Sequence, residues 1–205
     1  MDSIPNPLEA TSVSGTYGHL LTYHRKCQYA SRLAAEAHAG QTMKGSKLPY
    51  FVHCSGVAAT VSSTFQCQDA EVVAAAFLHD VLEKTRMTAK KLESLMGRRV
   101  MALVQMLTKP SRGNPKDYWE RLREAGWEAR LIKMADALDH LAEPSNKLPA
   151  RIVTGHKTLA LAFGKEREIQ LAREVLSAAL DNAVMSVVQE SGDDRVHQTG
   201  ANLTR

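Results

Sequence analysis

One stretch constrains this chain more than any other: Val72-Val73-Ala74-Ala75-Ala76-Phe77-Leu78, the longest strictly apolar run. It is rich in Ala and Leu, which favour helix, and Asp69 stands just ahead of it as a start signal. A helix that is apolar on every side must be enclosed by other elements. The rest of the chain supplies only helices for that purpose. Leu20, Leu21, Cys27, Ala30, Leu33, Ala34 and Ala37 mostly recur at spacings of three, four and seven, and Gly40 follows as a stop. Similar patterns predict helices opened by Pro49 and running through Phe51–Val61, from Asp69 to Leu82, over Ala89–Met96, Val100–Leu107, 117–124 and 127–142, near Ile152–Phe163, and from Glu166 to Gln189. Period-two alternation is rare, so strands are not expected. The sequence predicts an all-α fold, a single helical bundle.

Size and composition agree. A chain of 205 residues suits one domain. With 44% hydrophobic residues and a net charge of +4, intrinsic disorder is excluded as its general state. Residues 1–18 read as a flexible lead-in, 19–190 as the domain and 191–205 as a flexible tail. Three cysteines with no C-x-x-C pair argue against a disulfide scaffold and for a reducing, cytoplasmic setting. The apolar run falls far short of the ~20 residues a membrane helix needs. The N-terminus shows no basic-then-apolar leader. Basic residues are scattered and no nucleic-acid motif appears, so neither nucleic acid nor a membrane is an expected partner.

The chemistry lies where the apolar run ends. His79-Asp80 closes it, and a carboxylate there is costly to bury unless paired or metal-bound. Glu83 follows about one helical turn later. His53 and Asp136 sit on two other apolar helices. Two imidazoles and two carboxylates form a mixed nitrogen and oxygen set that suits Mn, Fe or Zn better than Ca. Such a set leaves coordination positions for water and a phosphate oxygen. Plainer roles stand beside these: His53 as a core or surface histidine, Asp136 as an ion-pair partner of Lys133, Tyr50 and Cys54 as core residues. His19, His24, His38, His156 and His197 have no evident partner.

The order of these residues resembles the RelA/SpoT-type alarmone hydrolases. Ala37-His38-Ala39-Gly40-Gln41, Lys44 and Pro49-Tyr50-Phe51-Val52-His53 are similar to that family's opening motif. Ala75-Ala76-Phe77-Leu78-His79-Asp80-Val81-Leu82-Glu83-Lys84-Thr85 resembles the central one, and Ile132-Lys133-Met134-Ala135-Asp136-Ala137-Leu138-Asp139-His140-Leu141 the third. Leu107-Thr108-Lys109 resembles the threonine-lysine that follows the family's middle helix. The likeness runs from about residue 28 to 142.

The resemblance implies an HD-domain bundle holding Mn²⁺, or another divalent transition metal, on His53, His79, Asp80 and Asp136. It implies removal of the 3′-pyrophosphate from (p)ppGpp or (p)ppApp, with Glu83 orienting or deprotonating the attacking water. Lys44 and Lys109 become phosphate-binding candidates, and the expected partner is a small nucleotide polyphosphate. The length suggests a stand-alone hydrolase with no synthetase or regulatory domain. Three positions depart from the pattern. Lys84 replaces an acidic residue, Met43 replaces an arginine on the nucleobase side, and His140 stands where Asn is common. Lys84 and His140 therefore join the substrate-binding candidates. Lys165, Arg167 and Arg173 are candidates to close over the ligand. Two alternatives accompany the resemblance: an HD-domain phosphohydrolase acting on another nucleotide phosphate, and a nucleotide-binding regulatory module without turnover.

Overall fold

A computed structural model describes residues 18–110, 112, 114–143 and 146–200, with side-chain surroundings up to 189. Most of the lead-in (1–17) and the end of the tail (201–205) lie outside the described residues. The α-helices are α1 Gly18–Ala37, α2 Phe51–Ala59 (continued by a π-helical turn, Thr60–Thr64), α3 Ala70–Leu78, α4 Val81–Lys84, α5 Ala89–Met96, α6 Arg98–Leu107, α7 Pro115–Glu124, α8 Trp127–Ala142, α9 Leu148–Leu159 and α10 Arg167–Gly200. Among the described residues the only strand-like pairing is an isolated bridge between Thr42 and Pro49. The fold is an all-α bundle.

The apolar run forms α3 and sits at the centre. Val72, Ala74, Ala75, Ala76 and Leu78 have no exposed surface. The helix packs against α1, α2, α6 and α8. Asp69 starts it, its Oδ1 accepting from the amides of Glu71 (2.8 Å) and Val72 (3.3 Å). Around one end of this core, Arg99 ties Asp69, Glu71 and Glu128 together, linking α6 to α3 and α8.

Two expectations need correction. The helix expected from Asp69 to Leu82 breaks at His79-Asp80. His79 is the last helical-type residue of α3, and Asp80 takes φ −104° and ψ −4° before the short α4 begins. Propensity favours continuing, since Val81 and Leu82 are ordinary helix residues, but the two polar side chains are claimed by tertiary partners. The second correction concerns the helix expected near Ile152–Phe163. It starts earlier, at Leu148, with Pro149 in its first turn, where the missing N–H is no loss. The helix then ends at Leu159, and residues beyond it are held by Arg130, whose Nη1 donates to the carbonyls of Leu161 (3.0 Å) and Phe163 (2.5 Å).

The loop after α1 is pinned as well. The Met43 amide donates to the Leu48 carbonyl (2.9 Å) and the Tyr50 amide to that of Gln41 (2.9 Å). This holds Met43 and Lys44 beside the start of α2. Helices α2 and α8 approach closely at Gly56, where an added Cβ would stand 2.1 Å from Asp139 Oδ1. α10 runs on past Gln189 to Gly200. No helix among the described residues is long and apolar enough to cross a membrane.

Candidate active site

His53 lies in the first turn of α2, Asp136 midway along α8, and His79-Asp80 at the break after α3. All four are buried. Donor atoms of His53, His79 and Asp136 all lie within 4.8 Å of one another, and Asp80 Oδ2 stands beside the two histidines. His53 Nε2 is 3.2 Å from His79 Nε2, 3.4 Å from Asp136 Oδ1 and 3.8 Å from Asp80 Oδ2. His79 Nε2 is 3.3 Å from Asp80 Oδ2 and 3.8 Å from Asp136 Oδ1. Neighbouring residues in a continuous helix point to different sides. The break is what lets His79 and Asp80 face the same space.

The outer atoms of the imidazoles decide what that space can hold. His79 Nδ1 donates to the Ala76 carbonyl at 2.9 Å, and His53 Nδ1 donates to Asp139 Oδ2 at 2.7 Å. With both Nδ1 atoms carrying protons, neutral rings present two Nε2 lone pairs to each other. That arrangement is repulsive unless a cation or a proton stands between them. The donor set therefore fits a transition metal, with nitrogen and carboxylate ligands and an outer hydrogen bond orienting each imidazole. Without metal, a proton fills the role. Burial pushes His53 down, but Asp136 and Asp139 outweigh it and raise its pKa to about 9.

Both carboxylates are held ionised. Burial pushes Asp80 up, and His79 and Lys84 overcome that, keeping it well below the usual carboxylate range. Asp136 behaves likewise through Lys133, whose buried ammonium donates to Asp136 Oδ2 at 2.6 Å. Lys133 is raised in turn: burial pushes it down and Asp136 prevails. The ion pair between Lys133 and Asp136 thus exists, and it leaves Asp136 Oδ1 directed at the histidines.

Other residues near the centre are less apparent in the sequence. Tyr50 is half-buried, and its hydroxyl bonds to Asp80 Oδ2, so it is not simply core. Burial, reinforced by Asp80, raises its pKa. Asp139 is another residue that motif reading passes over, although its place three residues after Asp136 puts it on a similar face of α8. His38, left without a partner by the sequence, is buried, and its Nδ1 lies 2.9 Å from Gln41 Oε1. Gln41 in turn donates to the Lys84 carbonyl (2.8 Å), tying the loop to α4.

A cleft of about 310 Å³ opens beside the centre, and its wall includes His53, Asp136, Met43, Lys44, Lys84, His140, Lys147 and Arg151. Lysines and an arginine outnumber the acids there, as a polyanion would require. The His140 ring stacks on His53 with centroids 4.6 Å apart, and its Nε2 is 3.3 Å from Asp136 Oδ1. Burial lowers the His140 pKa. Arg151 donates to the carbonyls of His140 (2.9 Å) and Glu143 (2.7 Å), fastening the end of α8 to α9.

Glu83 and Lys109 lie elsewhere. The Lys109 amide donates to Glu83 Oε2 at 3.0 Å, and Lys109 Nζ is 4.0 Å from Glu83 Oε1. With His79, Asp80, Lys133 and Asp136, these two line a separate pocket of about 10 Å³. That volume is roughly one water. Arg167 and Arg173 turn away from the cleft, to Gln66 Oε1 (2.8 Å) and the Ala162 carbonyl (2.7 Å), and Lys165 does not line it.

A family model described as an HD domain matches residues 30–151, which include every residue of this centre. The chain belongs to the HD-domain family. Among similar HD-domain proteins is the guanosine-3′,5′-bis(diphosphate) 3′-pyrophosphohydrolase MESH1 of Danio rerio, 35% identical over 121 residues, covering 57% of this chain and 67% of that protein. A guanosine-3′,5′-bis(diphosphate) 3′-pyrophosphohydrolase of Aquifex aeolicus is 30% identical over 130 residues, or 60% of this chain and 18% of that protein. The chain thus spans about two thirds of the animal relative and a small part of the bacterial one. A solved structure described as a metazoan ortholog of SpoT that hydrolyses ppGpp superposes with a TM-score of 0.64 at 25% identity, covering 74% of this chain and 93% of that one. These SpoT-type alarmone hydrolases are the branch of the HD-domain family that this chain resembles.

Proposed function

We propose that this HD-domain protein removes the 3′-pyrophosphate from an alarmone nucleotide, (p)ppGpp or (p)ppApp, with Mn²⁺ bound to His53, His79, Asp80 and Asp136. The catalytic unit is assigned to residues 19–190, acting in the cytoplasm on a small nucleotide polyphosphate and not on nucleic acid or a membrane. One observation carries the reading: the converging donors of His53, His79 and Asp136, with Asp80 beside the histidines, adjoin both a one-water pocket edged by Glu83 and a cleft lined with cations.

A divalent cation there would lower the pKa of a water and polarise the phosphoryl group. The protein's own groups supply the rest. Glu83 accepts the water's proton as its oxygen attacks the 3′-linked phosphorus. The bond to the ribose 3′ oxygen breaks, that oxygen takes a proton from solvent, and pyrophosphate and a nucleotide with a free 3′-hydroxyl are released. Lys133 keeps Asp136 ionised, and Asp139, accepting from His53 Nδ1, turns His53 Nε2 toward the centre. Lys44, with Lys84, meets the phosphates as point charges. His140 lies where ribose or phosphate would pass. Lys109 acts at one remove, fixing Glu83 through its amide.

The test is incubation of the purified protein with guanosine and adenosine 3′-pyrophosphates, with and without Mn²⁺. Pyrophosphate release that vanishes with chelator or in Asp80→Ala is the expected result. Release of single phosphate from a different nucleotide, or binding without release by the metal-loaded protein, would sink it.

A further inference from the structure

Asp80 Oδ2, the oxygen that faces both histidines, is already fully engaged. It accepts from Lys84 Nζ at 2.7 Å and from the Tyr50 hydroxyl. A carboxylate oxygen offers about two lone-pair sites. With both taken, none is left for a metal ion, although this oxygen lies 3.3 Å from His79 Nε2 and 3.8 Å from His53 Nε2.

One donor must therefore leave when metal enters, and the two differ in how easily they can. Tyr50 is wedged between rings, its centroid 4.8 Å from that of His38 and 5.4 Å from that of His53. Its side chain has little room to turn. Lys84 has a flexible stem, its side chain is 35% exposed, and it already lines the cleft. Its charge also opposes an incoming cation, whereas the hydroxyl's does not.

We propose that Lys84 is a displaceable internal counter-cation: it occupies the metal-facing oxygen of Asp80 until a divalent ion takes that oxygen, and is then released into the cleft. This rests on the metal centre proposed above. It gives the departure at position 84 a physical role. Where an acidic residue would add negative charge beside Asp80, the lysine neutralises Asp80 in the empty centre and weakens its hold on metal. The phosphate-facing wall of the cleft then gains an ammonium only when metal is present.

The experiment measures Mn²⁺ affinity of the wild type, Lys84→Met and Lys84→Arg by titration calorimetry, with circular dichroism and melting to verify folding. Lys84→Met is expected to bind Mn²⁺ tighter by about tenfold, the size supported by loss of one competing charge-assisted hydrogen bond. Lys84→Arg keeps the competing charge and is expected to stay near the wild type. Reductive methylation followed by mass spectrometry supplies a readout that does not depend on a substitution: Lys84 should be modified faster after Mn²⁺ is added. Unchanged or weaker Mn²⁺ binding in Lys84→Met, or methylation of Lys84 insensitive to Mn²⁺, overturns the proposal. If the wild type itself neither binds Mn²⁺ nor hydrolyses an alarmone, the metal reading fails and this inference falls with it. Normal binding and turnover with an indifferent Lys84→Met overturns this inference alone.

Discussion

His53 Nδ1 donates to Asp139 Oδ2 at 2.7 Å across the contact between α2 and α8. The bond fixes both the tautomer and the tilt of the ring, so Nε2 points at His79 and Asp136. At metal centres, outer contacts of this kind hold a histidine ligand in place.

Asp139→Asn keeps the size of the partner but removes its charge, and can present the wrong group to Nδ1. Mn²⁺ affinity is expected to fall by about 10–100-fold. Calorimetric titration of the folded variant is the measurement. Affinity equal to that of the wild type would show that His53 is oriented by the helix alone.

Gly56→Ala tests the closeness of the helices. Its Cβ would stand 2.1 Å from Asp139 Oδ1, so Asp139 must move or the helices must separate. A loss of about 1–3 kcal/mol is expected, in the range of overpacked sites. Urea unfolding gives this number, and the same variant should bind Mn²⁺ more weakly because the Asp139 contact with His53 is disturbed. A stable variant with intact metal binding would contradict the packing argument.

Glu83→Gln removes the proton acceptor while leaving an oxygen to receive the Lys109 amide. The turnover number is expected to drop by about 10²–10⁴-fold, the range for loss of a general base. Mn²⁺ affinity should not change, since Glu83 is not among the four proposed ligands. A variant that loses metal together with rate would instead make Glu83 part of the metal centre.

Much of this centre is legible in the sequence, and the reasons for what is not are local. His53, His79, Asp80 and Asp136 stand out because polar groups on apolar helices need a partner. The break between His79 and Asp80 is invisible, because the residues on both sides are good helix formers and only tertiary demand interrupts them. Tyr50 reads as core beside Phe51 and Val52, and only the position of its hydroxyl shows otherwise. Asp139 lies toward the C-terminal end of an amphipathic helix, where a carboxylate ordinarily faces solvent. His38 looks isolated because its partner, Gln41, lies beyond the helix end in a loop whose path the sequence does not define.

The protonation of His53 gives the metal-free protein a distinct pH dependence. Burial lowers its pKa, but Asp136 and Asp139 raise it to about 9, above the ordinary value of about 6.5. A raised folded-state pKa contributes stability that is fully present below about pH 6.5 and is lost as pH climbs toward the folded value. His38 and His140 are shifted the other way by burial, so their contribution is lost as pH falls below about 6.5, outside that window. Between about pH 6.5 and about pH 8, below the range where thiols titrate, the melting temperature of chelator-treated protein should therefore fall. Metal needs the deprotonated ring, so Mn²⁺ affinity should rise across the same interval, with proton release detectable in buffers of different ionisation enthalpy. Asp139→Asn should flatten the decline, because one of the two charges that hold the proton is gone. A melting temperature that is level or rising in the chelated wild type would mean that His53 is not the proton carrier at this centre.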